Sequence, residues 1–79
     1  MLAKSDYMVE FKLEGHEYIQ LNQLLKLLNL VETGGEANQC ITEGLVKVNG
    51  ETELQKRKKL RPGDIVEFEN NIVKIEPAD

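Results

Sequence analysis

"EGLVKVNGETELQKRKKLRPGDIVEF", residues 43–68, decides how the chain is read. Val46 and Val48 alternate with Lys47 and Asn49, the period of a strand with one buried face. Asn49-Gly50 suits a tight turn after it. Arg61-Pro62-Gly63-Asp64 reads as a second turn with Pro62 and Gly63 at its centre, and "IVEF" resumes a strand. Between the turns lies an unusual concentration of charge. Residues 47–61 carry six basic side chains (Lys47, Lys56, Arg57, Lys58, Lys59, Arg61) and two acidic ones (Glu51, Glu53), a local net of +4. The whole chain has net charge −4, from 10 basic and 14 acidic residues, so the remainder holds 4 basic and 12 acidic, a net of −8. The negative total therefore says little about the surface that meets a partner.

Downstream, "DIVEFENNIVKIE" reads as two strands around Asn70-Asn71, a pair that tolerates the positive φ of a type I′ turn. Upstream, the period changes. Leu21, Leu24, Leu25 and Leu28 fall at i, i+3, i+4 and i+7, the stripe of an amphipathic helix, with Leu27 and Leu30 expected to widen its buried side. Lys26 falls off the stripe, toward solvent. Thr33 with Glu36 three residues later is a capping-box pattern that starts a second helix at Gly34 or Gly35. Ala37, Cys40 and Ile41 form its apolar side, and Gly44 fits the left-handed residue past its end. "YMVEFKL" from Tyr7 reads as a strand, Glu14-Gly15 as a turn, and "HEYIQL" as a short extended piece expected to close a hairpin with it. The order is strand, strand, helix, helix, then about three strands. That is an α+β fold, a small antiparallel sheet packed against a two-helix motif.

At 79 residues the chain is expected to be a single domain, 1–79, with one small core and little interior for a deep catalytic cavity. One cysteine, Cys40, cannot staple its own chain. No apolar run is long enough for a signal peptide or for the ~20 residues of a membrane helix. A cytoplasmic protein is expected, with no membrane partner, as a monomer.

The helix pair, the "EGLVKVNG" strand and the "RPGDIVEF" turn-strand, together with Ala37 and Ile41, resemble the S-four-like RNA-binding domain, named for ribosomal small-subunit protein four. The resemblance spans about fifty residues in matching order and spacing. Its core is expected over residues 18–76. "ETGGEA" followed by "EGLVKVNG" and a basic run is most similar to the small stand-alone members, the YbcJ/YaaA type. The resemblance implies an αL-type RNA-binding fold and a link with ribosomes or their assembly. The chain departs from the family at the helices. Gln20-Leu21-Asn22 stands where many members have Arg-Leu-Asp. Thr33-Gly34-Gly35 stands where many have Ser-Arg, and Asn38 and Gln39 occupy a helix that is often basic. The phosphate-binding burden thus shifts to 47–61.

Lys and Arg that neutralise phosphates release counterions, and the Arg side chains fork onto phosphate oxygens. The candidate RNA-binding residues are therefore Lys26, Gly34, Gly35, Lys47, Asn49, Lys56, Arg57, Lys58, Lys59 and Arg61. Structured RNA, ribosomal RNA included, is the expected partner, because its shallow minor groove suits recognition of shape. Stacking on unpaired bases is not expected as the main mode, since none of Tyr7, Phe11, Tyr18 and Phe68 lies inside the basic run. The blander readings are a solvated charged loop for the basic run and a tight interhelical turn for Gly34-Gly35. The second functional reading is a protein-interaction module that docks an acidic partner. His16 has no triad partners or companion metal ligands and reads as a surface residue. Cys40 reads as a small buried hydrophobe. The carboxylates show no acid–base pairing. No enzyme activity, small-molecule substrate, cofactor or metal is expected.

Overall fold

The computed structural model describes residues 7–77. The order is β1 Tyr7–Lys12, β2 Ile19–Gln20, α1 Leu21–Leu27, α2 Gly34–Thr42, β3 Val46–Val48, β4 Glu51–Thr52, β5 Lys59–Leu60, β6 Ile65–Phe68 and β7 Asn71–Glu76. Five strands form one sheet in the order β1-β7-β6-β3-β4, and β2 pairs with β5 in a second, two-stranded sheet. The α+β class and the helix pair are as the sequence implies.

The expected hairpin between 7–13 and 16–21 does not form. Its turn exists: Glu14 and Gly15 have φ 55° and 93°, and the His16 N–H donates to the Leu13 carbonyl at 3.2 Å. Beyond the turn, however, His16 and Glu17 are exposed, the buried Ile19 lies on a strand that pairs with β5, and the buried Leu21 already opens α1, so the segment does not return beside β1. β1 instead pairs in parallel with β7, Val9 against Val73 and Phe11 against Ile75. The large sheet is therefore antiparallel except at this edge. A parallel pair needs a long crossover. Here everything from β2 to β6 lies between the two strands.

α1 ends where Asn29 takes a left-handed conformation, φ 60°. The Asn29 N–H donates to the Lys26 carbonyl and the Leu30 N–H to the Leu25 carbonyl, both at 3.0 Å, which closes the helix by a Schellman motif. α2 ends the same way at Gly44, φ 82°: its N–H reaches the Ile41 carbonyl and the Leu45 N–H reaches that of Cys40. At the start of α2, the Thr33 hydroxyl accepts from the Glu36 N–H at 3.0 Å, while the Glu36 carboxylate reaches back to the Glu32 N–H at 2.9 Å.

One core joins Leu21, Leu24, Leu25, Ala37 and Ile41 of the helices to Val46, Val48, Val66, Phe68, Val73 and Ile75 of the sheet. Ile19 of β2 and Leu60 of β5 complete it, with Leu13 and Val31 from the connections. Leu30 is half-buried against this core, but Leu27 is 57% exposed. At about 100° per residue Leu27 lies roughly 110° from the centre of the leucine stripe, too far round to turn inward.

Three turns fix the strand ends. Asn49 and Gly50 both have positive φ, 54° and 86°, and join Val48 to Glu51 as a type I′ hairpin turn. Pro62-Gly63 forms a type II turn: Gly63 has φ 97° and the Asp64 N–H reaches the Arg61 carbonyl at 3.0 Å. The turn between β6 and β7 sits one residue earlier than expected, at Glu69-Asn70, because Phe68 pairs with Asn71. The positive φ falls on Glu69, at 57°.

Gly44 and Gly34 differ in what they require. A Cβ on Gly44 would meet Thr52 Cγ2 at an ordinary 3.7 Å, so only the left-handed backbone opposes a side chain there. Gly34 has no positive φ and open space around it. Gly44→Ala is expected to lower stability by about 1 kcal/mol, and Gly34→Ala to leave it unchanged or slightly higher. Thermal melts of the two variants beside the wild type check this.

Candidate nucleic-acid interface

The basic excursion is built against the N-terminus of α1. Gln20, at the N-cap, makes no side-chain capping bond. The orphan donors of the helix are met from elsewhere: the Leu21 N–H donates to the Lys58 carbonyl at 2.9 Å and the Asn22 N–H to the Lys56 carbonyl at 3.0 Å. The Lys58 N–H in turn reaches the Gln55 carbonyl at 3.2 Å, which closes a turn with Lys56 and Arg57 at its tip. Both tip side chains are exposed. The next residues enter β5, where Lys59 faces Gln20 and the buried Leu60 faces Ile19. With Leu60 turned inward, Lys59 and Arg61 are exposed on either side of it.

These two cations meet an aromatic ring that the sequence does not place beside them. Lys59 Nζ lies 4.9 Å and Arg61 Cζ 5.6 Å from the centroid of Tyr18. Among the described residues the one ion pair is Lys74–Glu76, at 3.6 Å. None of the six cations of 47–61 is neutralised by a carboxylate within that set.

α1 and α2 continue this surface. Asn22 Nδ2 donates to Asn38 Oδ1 at 2.9 Å and ties the two helices together beside the basic turn. One helical turn along α1 from Asn22 is exposed Lys26, and one turn back along α2 from Asn38 is Gly34. Gly34 and Gly35 are the first two residues of α2 and neither has a positive φ, so they are not the interhelical turn that needs glycine. That role falls to Asn29.

Two candidates sit apart. Lys47 lies on the open face of the sheet, between Thr52 and Glu67, because its neighbours Val46 and Val48 are the buried ones. Asn49 spends its amide on the protein itself. Its Nδ2 donates to Asp64 Oδ1 at 3.0 Å, and its Oδ1 accepts from the Ile65 N–H at 2.9 Å. Asp64 Oδ2 also accepts from the Arg61 N–H at 2.8 Å. Asp64 thus clips the end of the basic segment to the β3–β4 turn.

Cys40 is half-buried against the core. Burial, and then the charges of Glu36, Glu43 and Glu69, push its thiol above the ordinary value. Among the described residues no cluster of three or more His, Cys, Asp or Glu is placed to hold a metal. No helix there is long and apolar enough to cross a membrane.

The S4 domain model matches residues 11–76, most of the chain. The chain belongs to the S4 domain family. The match begins at Phe11, so it takes in every element from β2 to β7 but only the last two residues of the parallel edge strand β1. The chain is 40% identical over 68 residues to the "Putative RNA-binding protein YbcJ" of Escherichia coli (strain K12), covering 86% of this chain and 97% of that one. It is 42% identical over 53 residues to the "Probable ribosome maturation protein RlbA" of Bacillus subtilis (strain 168), covering 67% and 75% of the two chains. The solution structure of E. coli YbcJ, described with an αL motif involved in RNA binding, superposes with a TM-score of 0.68 at 37% identity over 96% of both chains. The 30S ribosomal protein S4e of Thermoplasma acidophilum matches with a TM-score of 0.59 at 26% identity over 72% of this chain and 30% of that one.

Two measurements test this geometry. Asp64→Ala is expected to cost about 1 kcal/mol and to lower Tm by ~4–8 °C, as read in a thermal melt. Cys40 is expected to react with a disulfide reagent at pH 8 more slowly than a free cysteine, with the rate rising as pH approaches its raised pKa. A rate equal to that of the free thiol would contradict its burial.

Proposed function

We propose that this chain is a non-catalytic RNA-binding protein that recognises structured RNA, in the setting of the ribosome or its assembly. The observation that carries this reading is the turn at 55–58. Its backbone is bonded to the first turn of α1, and the cations at 56–59 and 61 carry no carboxylate partner among the described residues. A rigid backbone beneath unneutralised cations suits a phosphate surface, because the protein loses little order on binding. YbcJ and RlbA carry names that point to RNA binding and ribosome maturation. Within this reading the whole chain acts as one domain, monomeric and cytoplasmic. Lys56, Arg57, Lys58, Lys59 and Arg61 contact phosphates directly. Lys26 and the N–H groups at Gly34-Gly35 extend the contact along the helix pair, and the glycines there leave room for close approach of an RNA backbone. Lys47 acts at longer range from the sheet face. Asn49 holds the turn that carries the segment's end.

The acidic remainder works against indiscriminate binding, since its net of −8 repels any phosphate not seated on the basic surface. Binding is therefore expected to weaken steeply with salt. Lys56→Glu, Arg57→Glu and Lys58→Glu combined should abolish binding to ribosomal RNA while the fold survives, because the bonds to α1 use backbone carbonyls. Arg57→Ala should lower the salt slope by about 1, and Lys47→Ala by less. Salt titrations of each variant, followed by fluorescence anisotropy, decide it. A folded wild type that ignores RNA at low salt, yet keeps a partner after nuclease treatment, would replace this reading with an acidic protein partner.

A further inference from the structure

Tyr18 belongs to two features at once. Its ring takes Lys59 and Arg61, and it also lines an open cleft of about 370 Å³ between the end of β1, the turn at 14–15 and the exposed side of α1. Phe11, Leu13 and Ile19 give the cleft an apolar floor, and His16, Gln23 and Leu27 stand around it. Leu27, the leucine of α1 that faces solvent, is thereby one of its walls. Lys12 and Glu14 also line it and offset each other in charge, so the unbalanced positive charge beside the cleft is that of Lys59 and Arg61 on Tyr18.

We propose that this cleft receives one unpaired nucleobase of the bound RNA, stacked against Tyr18, with the flanking phosphate on Lys59 and Arg61. This rests on the RNA-binding reading and adds to it a preference for a bulge or loop. The chemistry matches the occupant part by part. A base offers a flat π face to the tyrosine ring, as stacking platforms for single strands require. Its polar edge meets the Gln23 carboxamide and the His16 imidazole, which supply donors and acceptors. Its phosphate is anionic, and the two cations sit on the ring that forms the wall. A continuous duplex keeps its bases stacked inside and offers none of these faces.

The test compares one RNA duplex, fully paired, with the same duplex carrying a single-nucleotide bulge. The measured quantity is the ratio of the two affinities by fluorescence anisotropy, in which a general change of protein charge cancels. The wild type is expected to favour the bulge by about 10-fold, within the worth of one base–aromatic stack. Tyr18→Phe should keep that ratio. Tyr18→Ala and Leu27→Glu should bring it to about 1. Leu27 is 57% exposed, so its substitution leaves the core intact even if Tyr18→Ala disturbs the fold. Equal wild-type binding to both RNAs, or an undiminished ratio in Leu27→Glu, overturns the cleft assignment while RNA binding stands. Binding to neither RNA overturns both.

Discussion

Two backbone hydrogen bonds hold the functional half of this molecule together: Leu21 N–H to the Lys58 carbonyl and Asn22 N–H to the Lys56 carbonyl. The first turn of a helix leaves donors without partners, and most sequences answer with a Ser, Thr, Asp or Asn cap. Gln20 does not serve, so the chain brings carbonyls from more than thirty residues downstream. That choice has a consequence for charge. A side-chain cap would have been local and electrostatically neutral or acidic. The loop that caps α1 here arrives with Lys56, Arg57 and Lys58, so satisfying the helix also plants a basic turn on its positive end. β2–β5 pairing then carries the chain directly to Lys59 and Arg61 on Tyr18.

The rest of the fold supports that arrangement from behind. The sheet and the helix pair share one core, and Leu60 sits inside it between two exposed cations. Burial of a leucine side chain contributes about 1.5–3 kcal/mol, so the β5 strand is held by its inward residue and not by its charges. At the far end, Asp64 ties Arg61 to Asn49 through its two carboxylate oxygens. The segment from Gln55 to Asp64 is thus bonded at both ends and anchored in the middle. Such a segment presents its cations in a defined pattern, and a surface that reads RNA by shape depends on a defined pattern.

Much of this was legible along the chain. The leucine spacing gave α1, Thr33 with Glu36 gave the start of α2, and Gly44 gave its end, because helix period and capping are local chemistry. Asn49-Gly50 and Pro62-Gly63 were equally plain, since positive φ is expensive for most residues. The turn after β6 fell one residue early because strand register, pairing Phe68 with Asn71, overruled the preference of Asn-Asn. Leu27 was expected inside because it is a leucine, but its angle round the helix left it in solvent. Glu14-Gly15 formed its turn without a hairpin, because a turn signal does not name the strand that follows.

By itself, then, the sequence determined both helices and their ends, the longer strands, and the presence of a basic segment in an acidic chain, all of which follow from neighbours a few residues apart; the two-residue strands β4 and β5 escaped it, because they exist only through the strands they pair with. The tertiary structure alone decided which partners those elements meet. β1 joined β7 because Val9 and Phe11 matched Val73 and Ile75 in an otherwise finished sheet. Lys47 was separated from the basic turn because alternation sent it to the opposite face of β3. Asn49 was taken by Asp64, and Tyr18 was brought to Lys59 and Arg61 across some forty residues of chain. Pairings at that separation depend on which apolar faces close together in the core, and no local pattern of residues records that choice.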